Sequence, residues 1–168
     1  GVEILKTGLV VGTWGNISAR HSHKTNLVAI TPSGMDYRIL KDEDIIWVDL
    51  EGKVQKGERK PSIELPLHLA VYRERSEIKG IVHVHSVYAT AWAAARKSIP
   101  AALEDMVQIV GGEVRVCDYA LPGTERLGVN VAKSLDNRQA VLLANHGLLG
   151  VGKDLNEALK VCQVVEKA

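Results

Sequence analysis

The chain has no phenylalanine, and three Trp and four Tyr leave aromatics at only 4% of its 168 residues. A core without aromatic bulk must be built from Val, Ile, Leu and Ala, and a hydrophobic share of 46% supplies enough of them for one domain of ordinary size. Excess charge is missing too: 21 Lys and Arg face 20 Asp and Glu, for a net charge of +1. That balance gives no basic field for nucleic acid or an anionic membrane, so any bound phosphate must be held by local geometry. No apolar run approaches the ~20 residues of a membrane span, and no signal-peptide pattern opens the chain. Cysteine is scarce. Cys117 and Cys162 are far apart, and neither stands in a C-x-x-C, so they read as reduced, buried thiols of a cytoplasmic protein.

Repeats, low-complexity tracts and long linkers are also absent, which predicts a single domain over residues 1–168. Gly1 falls within one helical pattern and Ala168 within another, so both ends read as trimmed. Val2–Val10 reads as the end of a helix. Asn16–Ala19 and Leu27–Ile30 alternate as two strands joined by the polar turn 21–26. Thr31-Pro32-Ser33-Gly34 is a turn, and Ile45–Leu50 a strand closed by Glu51-Gly52-Lys53. Pro61-Ser62 is expected to open a helix running to Arg75. Further on come a strand over Ile81–His85, helices over Tyr88–Ala95 and Pro100–Val110, and a strand over Val114–Cys117. A helix from Thr124 to Leu135, strands over Ala140–Ala144 and Leu148–Val151, and a helix capped by Asp154 complete the chain. Interleaved helices and early hairpins predict a three-layer α/β/α fold whose central sheet is mixed and largely antiparallel. No G-x-G-x-x-G follows a strand, so a dinucleotide fold has no support.

The histidines carry the chemistry. His83 and His85 lie one residue apart in an apolar strand, so their side chains share a face while Val82 and Val84 point the other way. Two imidazoles held so close suit one divalent cation at Zn–N distances of ~2.0–2.1 Å; the alternative is a pair of satisfied histidines on a polar face. His21-Ser22-His23 repeats the spacing in a turn between Arg20 and Lys24, where cations repel a metal and nothing preorganises the rings. His146 stands at the end of the apolar strand, just before Gly147, and is a third candidate ligand. Glu64 is a fourth, placed in the first turn of a helix where the helix dipole favours a carboxylate. His68 lies four residues on, on the same helical face, as a competing ligand or a supporting residue. Three imidazoles and a carboxylate form a set that Zn²⁺ favours.

Taken in order, Gly15-Asn16-Ile17-Ser18, Thr31-Pro32-Ser33-Gly34, Pro61-Ser62-x-Glu64, His83-Val84-His85-Ser86, Ile99-Pro100 and Asn145-His146-Gly147 resemble the class II sugar-phosphate aldolases, whose relatives include the adducin head and the ribulose-phosphate 4-epimerases. The resemblance covers nearly the whole chain. It implies cleavage of a ketose 1-phosphate of the fuculose 1-phosphate kind to dihydroxyacetone phosphate and an aldehyde. It implies one Zn²⁺ per subunit on Glu64, His83, His85 and His146, with His68 not a ligand and Glu64 also serving as the proton shuttle. It further implies a phosphate site of Gly15, Asn16, Ser33, Gly34 and Ser62, and a homotetramer with active sites at subunit interfaces. Ile63 departs from the family, which carries a second serine there. The second acid falls to Glu104 or Asp105, or to a tyrosine from a tail or neighbouring subunit. A 4-epimerase, a methylthioribulose-phosphate dehydratase and a non-enzymatic adducin-like module are the alternatives.

Overall fold

A computed structural model describes residues 1–168. Its elements in chain order are α1 (Val2–Lys6), β1 (Asn16–Arg20), β2 (Leu27–Ile30), a 3₁₀ turn (Asp42–Asp44), β3 (Ile46–Asp49), β4 (Val54–Lys56), α2 (Leu65–Glu74), β5 (Gly80–Val84), α3 (Val87–Ala94), α4 (Glu104–Val110), β6 (Arg115–Cys117), α5 (Glu125–Leu135), β7 (Ala140–Leu143), β8 (Gly147–Gly152) and α6 (Leu155–Lys167). The eight strands form one sheet in the order β4-β3-β2-β1-β5-β8-β7-β6. Every pairing is antiparallel except β6 with β7.

Alternation along the strands sorts the apolar side chains into two cores. Val28, Ile46, Ile81, Val141, Leu149 and Val151 pack on one face against Leu67, Val71, Leu127 and Val131 of α2 and α5. Val82, Val84, Leu142 and Leu148 pack on the other against Ala89, Ala93, Met106, Ala158 and Val161 of α3, α4 and α6. The expected three-layer arrangement is the one observed, and both cores are largely aliphatic, with one buried tyrosine each, Tyr72 and Tyr37.

Three helix boundaries and one strand differ from expectation by more than a residue. The first helix stops at Lys6, because Gly8 adopts φ +71° and the amides of Gly8 and Leu9 return to the carbonyls of Leu5 and Ile4, a Schellman close. The fourth helix starts at Glu104 because Ile99 is tied in an extended bridge to Val114. The second helix starts at Leu65 rather than Pro61. In a helix begun at Pro61, Pro66 would fall in the interior and its ring would meet the carbonyl of Ser62; at Leu65, Pro66 occupies the first turn, where no amide is needed. Strand β4 was not expected at all. Its three residues are all exposed on the sheet edge, so no buried face leaves a pattern in the sequence.

Candidate metal centre

The site forms where the sheet centre meets the start of α2. Strand β5 lies between β1 and β8, with Asn16 opposite His83 on one side and Leu149 opposite His83 on the other. His85 follows directly after the strand. His146 sits in the Ala144-Asn145-His146 turn between β7 and β8, where Asn145 takes the left-handed conformation (φ +59°) that asparagine tolerates. Glu64 occupies the N-cap position of α2 rather than its first turn.

These four side chains converge. His83 Nε2 lies 3.0 Å from His85 Nε2 and 3.3 Å from His146 Nε2. Glu64 Oε2 is 3.3 Å from His83 Nε2, and Oε1 is 3.5 Å from His146 Nε2. One ligand atom from each of the four residues lies within 4.8 Å of all the others. Around a tetrahedral ion with bonds of ~2.0–2.1 Å, ligand atoms are about 3.3–3.4 Å apart, so the four short spacings of 3.0–3.5 Å match a coordination shell and the set as a whole is close to one. His83 Nδ1 donates to Leu148 O at 2.9 Å, which fixes the tautomer and leaves Nε2 with its lone pair facing the cluster. Glu64 Oε1 and His146 Nδ1 are buried with no hydrogen-bond partner. A carboxylate oxygen left unsatisfied beside three imidazole nitrogens fits a divalent cation in chemistry as well as geometry.

Electrostatics agree. Burial pushes the Glu64 carboxyl up, but the charge and hydrogen bond of His83, with His146 and the Asn16 amide, overcome it and hold the group well below the usual carboxylate range. Burial and repulsion by the neighbouring imidazoles push His85 down to about 3 and His146 down to about 4. Burial likewise opposes charge on His83, but its contact with Glu64 raises it. The cluster therefore gathers positive charge at one point and accepts it poorly as protons on several rings.

The cluster opens into a cavity of about 370 Å³ lined in part by Asn16, Gly15, Ser33, Gly34, Ser62 and Ile63. All five residues of the expected phosphate site thus share a wall with Glu64, His85 and His146. The amides of Ser33 and Ser62 are taken by the carbonyls of Lys60 and Thr31, so these serines offer their hydroxyls rather than their backbone. Gly15 has φ +80°, and a Cβ there would lie 2.6 Å from the His83 carbonyl oxygen. Larger hollows occur elsewhere, one of about 890 Å³ around Asp42–Trp47 and Lys56–Arg59, without a converged donor set.

The other histidines, acids and cysteines weighed in the sequence lie outside the cluster. His68 is fully buried behind the cluster and bonds to Asn16 and Ser18. His21 and His23 stay in their turn, where His21 Nδ1 accepts the amides of His23 and Lys24. Glu104 and Asp105 lie on α4, outside the cavity lining. Asp105 is held by Lys167 at 2.6 Å, which keeps its carboxyl below the ordinary value. Both cysteines are free and buried. Trp14 and Tyr119 line the cavity without having been expected there; Trp14 is 64% exposed, with its ring 5.6 Å from that of His85. The only sequence signal for either is an aromatic in a chain that has few.

The profile of the family described as Class II Aldolase and Adducin N-terminal domain matches residues 2–168. The chain is 40% identical over 166 residues to a 5-deoxy-D-ribulose 1-phosphate aldolase of Bacillus thuringiensis serovar kurstaki, covering 99% of this chain and 77% of that protein. It is 39% identical over 166 residues to an L-fuculose phosphate aldolase of Haemophilus influenzae, covering 98% and 74%. A solved structure of an L-fuculose 1-phosphate aldolase superposes with a TM-score of 0.94 at 43% identity, covering 99% of this chain and 77% of that one.

Proposed function

Because the chain belongs to the class II aldolase and adducin family, we propose that it is a metal-dependent aldolase cleaving a ketose 1-phosphate to dihydroxyacetone phosphate and an aldehyde. The observation that carries this reading is the intact, converged set of Glu64, His83, His85 and His146, of which Glu64, His85 and His146 line a cavity that the anion-site residues also line. We assign these four residues to one Zn²⁺ per subunit; a set of three nitrogens and one carboxylate oxygen at tetrahedral spacing supports that ion. When bound, the ion supplies Lewis-acid polarisation of the substrate carbonyl.

The protein's own groups do the rest. Ser33 and Ser62 hydroxyls, the Gly34 turn and the free hydrogen of the Asn16 amide receive the phosphate, an arrangement that needs no basic patch. Once substrate has displaced its carboxylate from the ligand set, Glu64 moves the proton at C3, the carbon left with the electron pair when the C3–C4 bond breaks; Oε1, which no protein group binds, is then the oxygen available to carry it. The C4 hydroxyl must lose its own proton. Glu64 is the only carboxylate on the wall of a single subunit's cavity, so we assign that step to a group supplied from beyond it. Exposed Val87, Tyr88 and Trp92 form an apolar face on α3, directly after His85, and support a neighbouring subunit there in a homotetramer. We read residues 1–168 as one domain and the two free thiols as those of a cytoplasmic protein.

Purified protein incubated with ketose 1-phosphates and ketose 5-phosphates tests the reading. Dihydroxyacetone phosphate should appear from a 1-phosphate, vanish on chelation and return with Zn²⁺. No release from any 1-phosphate would remove the aldolase reading, and interconversion of 5-phosphates would favour the epimerase. A folded chain without stoichiometric metal would favour the adducin-like module.

A further inference from the structure

The cleavage chemistry leaves one buried histidine without a role. On the face of β1 that meets α2, the buried residues are Asn16, Ser18 and Arg20, where a central strand normally presents apolar side chains. Opposite them α2 offers Glu64, His68 and Tyr72, spaced four residues apart. Two strand residues advance about 6.6 Å and four helix residues about 6 Å, so the polar rungs stay in step. The contacts run without a break. Asn16 Nδ2 donates to Glu64 Oε2 at 2.8 Å, and Asn16 Oδ1 is 2.5 Å from His68 Nε2. His68 Nδ1 is 2.6 Å from Ser18 Oγ, and Ser18 Oγ is 3.0 Å from Tyr72 Oη. Arg20 anchors the far end through the carbonyls of Tyr72 and Ile78 and lies over the Tyr72 ring.

Only one orientation satisfies this chain. An ionised Glu64 accepts and never donates, so the Asn16 amide must turn Nδ2 toward it and Oδ1 toward His68. His68 Nε2 must then carry hydrogen. Fully buried and without a carboxylate partner, the ring is neutral, so Nδ1 accepts from Ser18, which in turn accepts from Tyr72. The Asn16 amide cannot relay a proton without becoming an imidic acid, so the chain fixes orientation and does not conduct.

We propose that His68 is a positioning residue for Glu64. Acting through Asn16, it holds the amide in the one orientation that anchors Oε2 and leaves Oε1 free for the reaction. Without it the amide can rotate, present its carbonyl to the carboxylate and drive Glu64 from its place. The proposal rests on the aldolase reading for its kinetic arm only.

Two measurements test it. In the metal-loaded wild type, long-range ¹H–¹⁵N spectra of the histidine rings should show His68 as the neutral Nε2–H tautomer; an Nδ1–H tautomer would overturn the proposal with no reference to activity. In kinetics at saturating metal on a ketose 1-phosphate cleaved by the wild type, His68→Leu should lower kcat about 10–100-fold, the usual effect of losing an outer-sphere partner, with a smaller rise in KM because the Asn16 amide also faces the phosphate. His68→Gln, which keeps a donor for Asn16 Oδ1, should recover most of that loss. An effect on KM alone, or a glutamine variant as impaired as the leucine one, would refute the positioning role. If the leucine variant does not fold, the tautomer and the glutamine variant still decide. A wild type inactive on every 1-phosphate would sink the aldolase reading and leave the tautomer result to stand by itself.

Discussion

Gly147→Ala should damage the metal centre without touching a ligand. Gly147 opens β8 next to His146, and a Cβ there would lie 2.5 Å from Val84 O, 3.1 Å from His85 Cδ2 and 3.4 Å from His83 Cε1. A carbon normally stays about 3.3–3.6 Å from a carbonyl oxygen, so the methyl is short of room by roughly 1 Å. The Val84 oxygen belongs to the backbone of a central strand paired on both sides and cannot swing away. Overpacking of this kind costs about 1–3 kcal/mol, or ~2–12 °C in Tm for a chain of this size. Metal sites tolerate displacements of only about 0.2 Å, so moving the ends of β5 and β8 should also weaken metal binding, by tenfold or more. Gly128→Ala is the control. Its Cβ would lie 2.8 Å from Ala70 Cβ and 3.0 Å from Pro66 O, between α2 and α5 and against none of the four cluster residues. Melting curves and competition with a chelating dye should show both variants destabilised but only Gly147→Ala impaired in metal affinity. Affinity within threefold of wild type for Gly147→Ala would refute the claim that this contact shapes the site.

Metal-free protein should lose stability in mild acid. His68, His85 and His146 are pushed down to about 3, 3 and 4, against about 6.5 unfolded, so the unfolded chain binds more protons and stability falls as pH drops from about 6.5 toward those values. His83, raised by Glu64, opposes this as one ring against three; urea midpoints that stay flat from pH 7 to pH 4.5 would contradict the sum. Ile63→Ser should lower KM for the ketose 1-phosphate about threefold to tenfold, the worth of one added hydrogen bond, because Ile63 lines the cavity. At 68% exposed, Ile63 contributes little core, so its Tm should hold, and an unchanged KM would place the phosphate elsewhere. His23→Ala should leave metal stoichiometry unaltered by elemental analysis, since His23 sits in a turn where His21 Nδ1 is already bonded to backbone amides.

The candidate ligands were legible because each has a signature at short range. The H-x-H pair sits in an apolar strand, His146 follows another, and Glu64 stands at a helix start. The cavity-lining residues proposed for the anion were legible only through the family's motifs, as small polar residues in turns carry no pattern of their own. Strand β4 was invisible because it buries nothing. The start of α2 was misplaced because the expectation weighed Pro61 as an opener and overlooked that Pro66 forbids an earlier start. The ladder of Asn16, Ser18 and Arg20 against Glu64, His68 and Tyr72 required three-dimensional pairing, since strand and helix periods become commensurate only when the two elements lie side by side. Trp14 and Tyr119 reach the cavity from loops whose paths no local pattern dictates.

The two H-x-H pairs explain why spacing is not the source of metal affinity. His83 lies in a strand hydrogen-bonded on both sides and His85 directly follows it, with the His83 tautomer set by Leu148 O before any ion arrives. The loss of side-chain and backbone freedom that metal capture demands has therefore already occurred on folding, whereas His21 and His23 would bear it at the moment of binding. That preorganisation weakens the metal-free protein. Nitrogens that repel further protonation stand 3.0–3.3 Å apart, beside a buried carboxylate oxygen without a partner. An ion bound only to the folded chain returns RT ln(1 + [L]/Kd), about 2.7 kcal/mol at one hundred times Kd. Folding and metal loading are thus linked: the two cores and the β1–α2 ladder must hold the site open against its own repulsion, and occupancy by the ion relieves it.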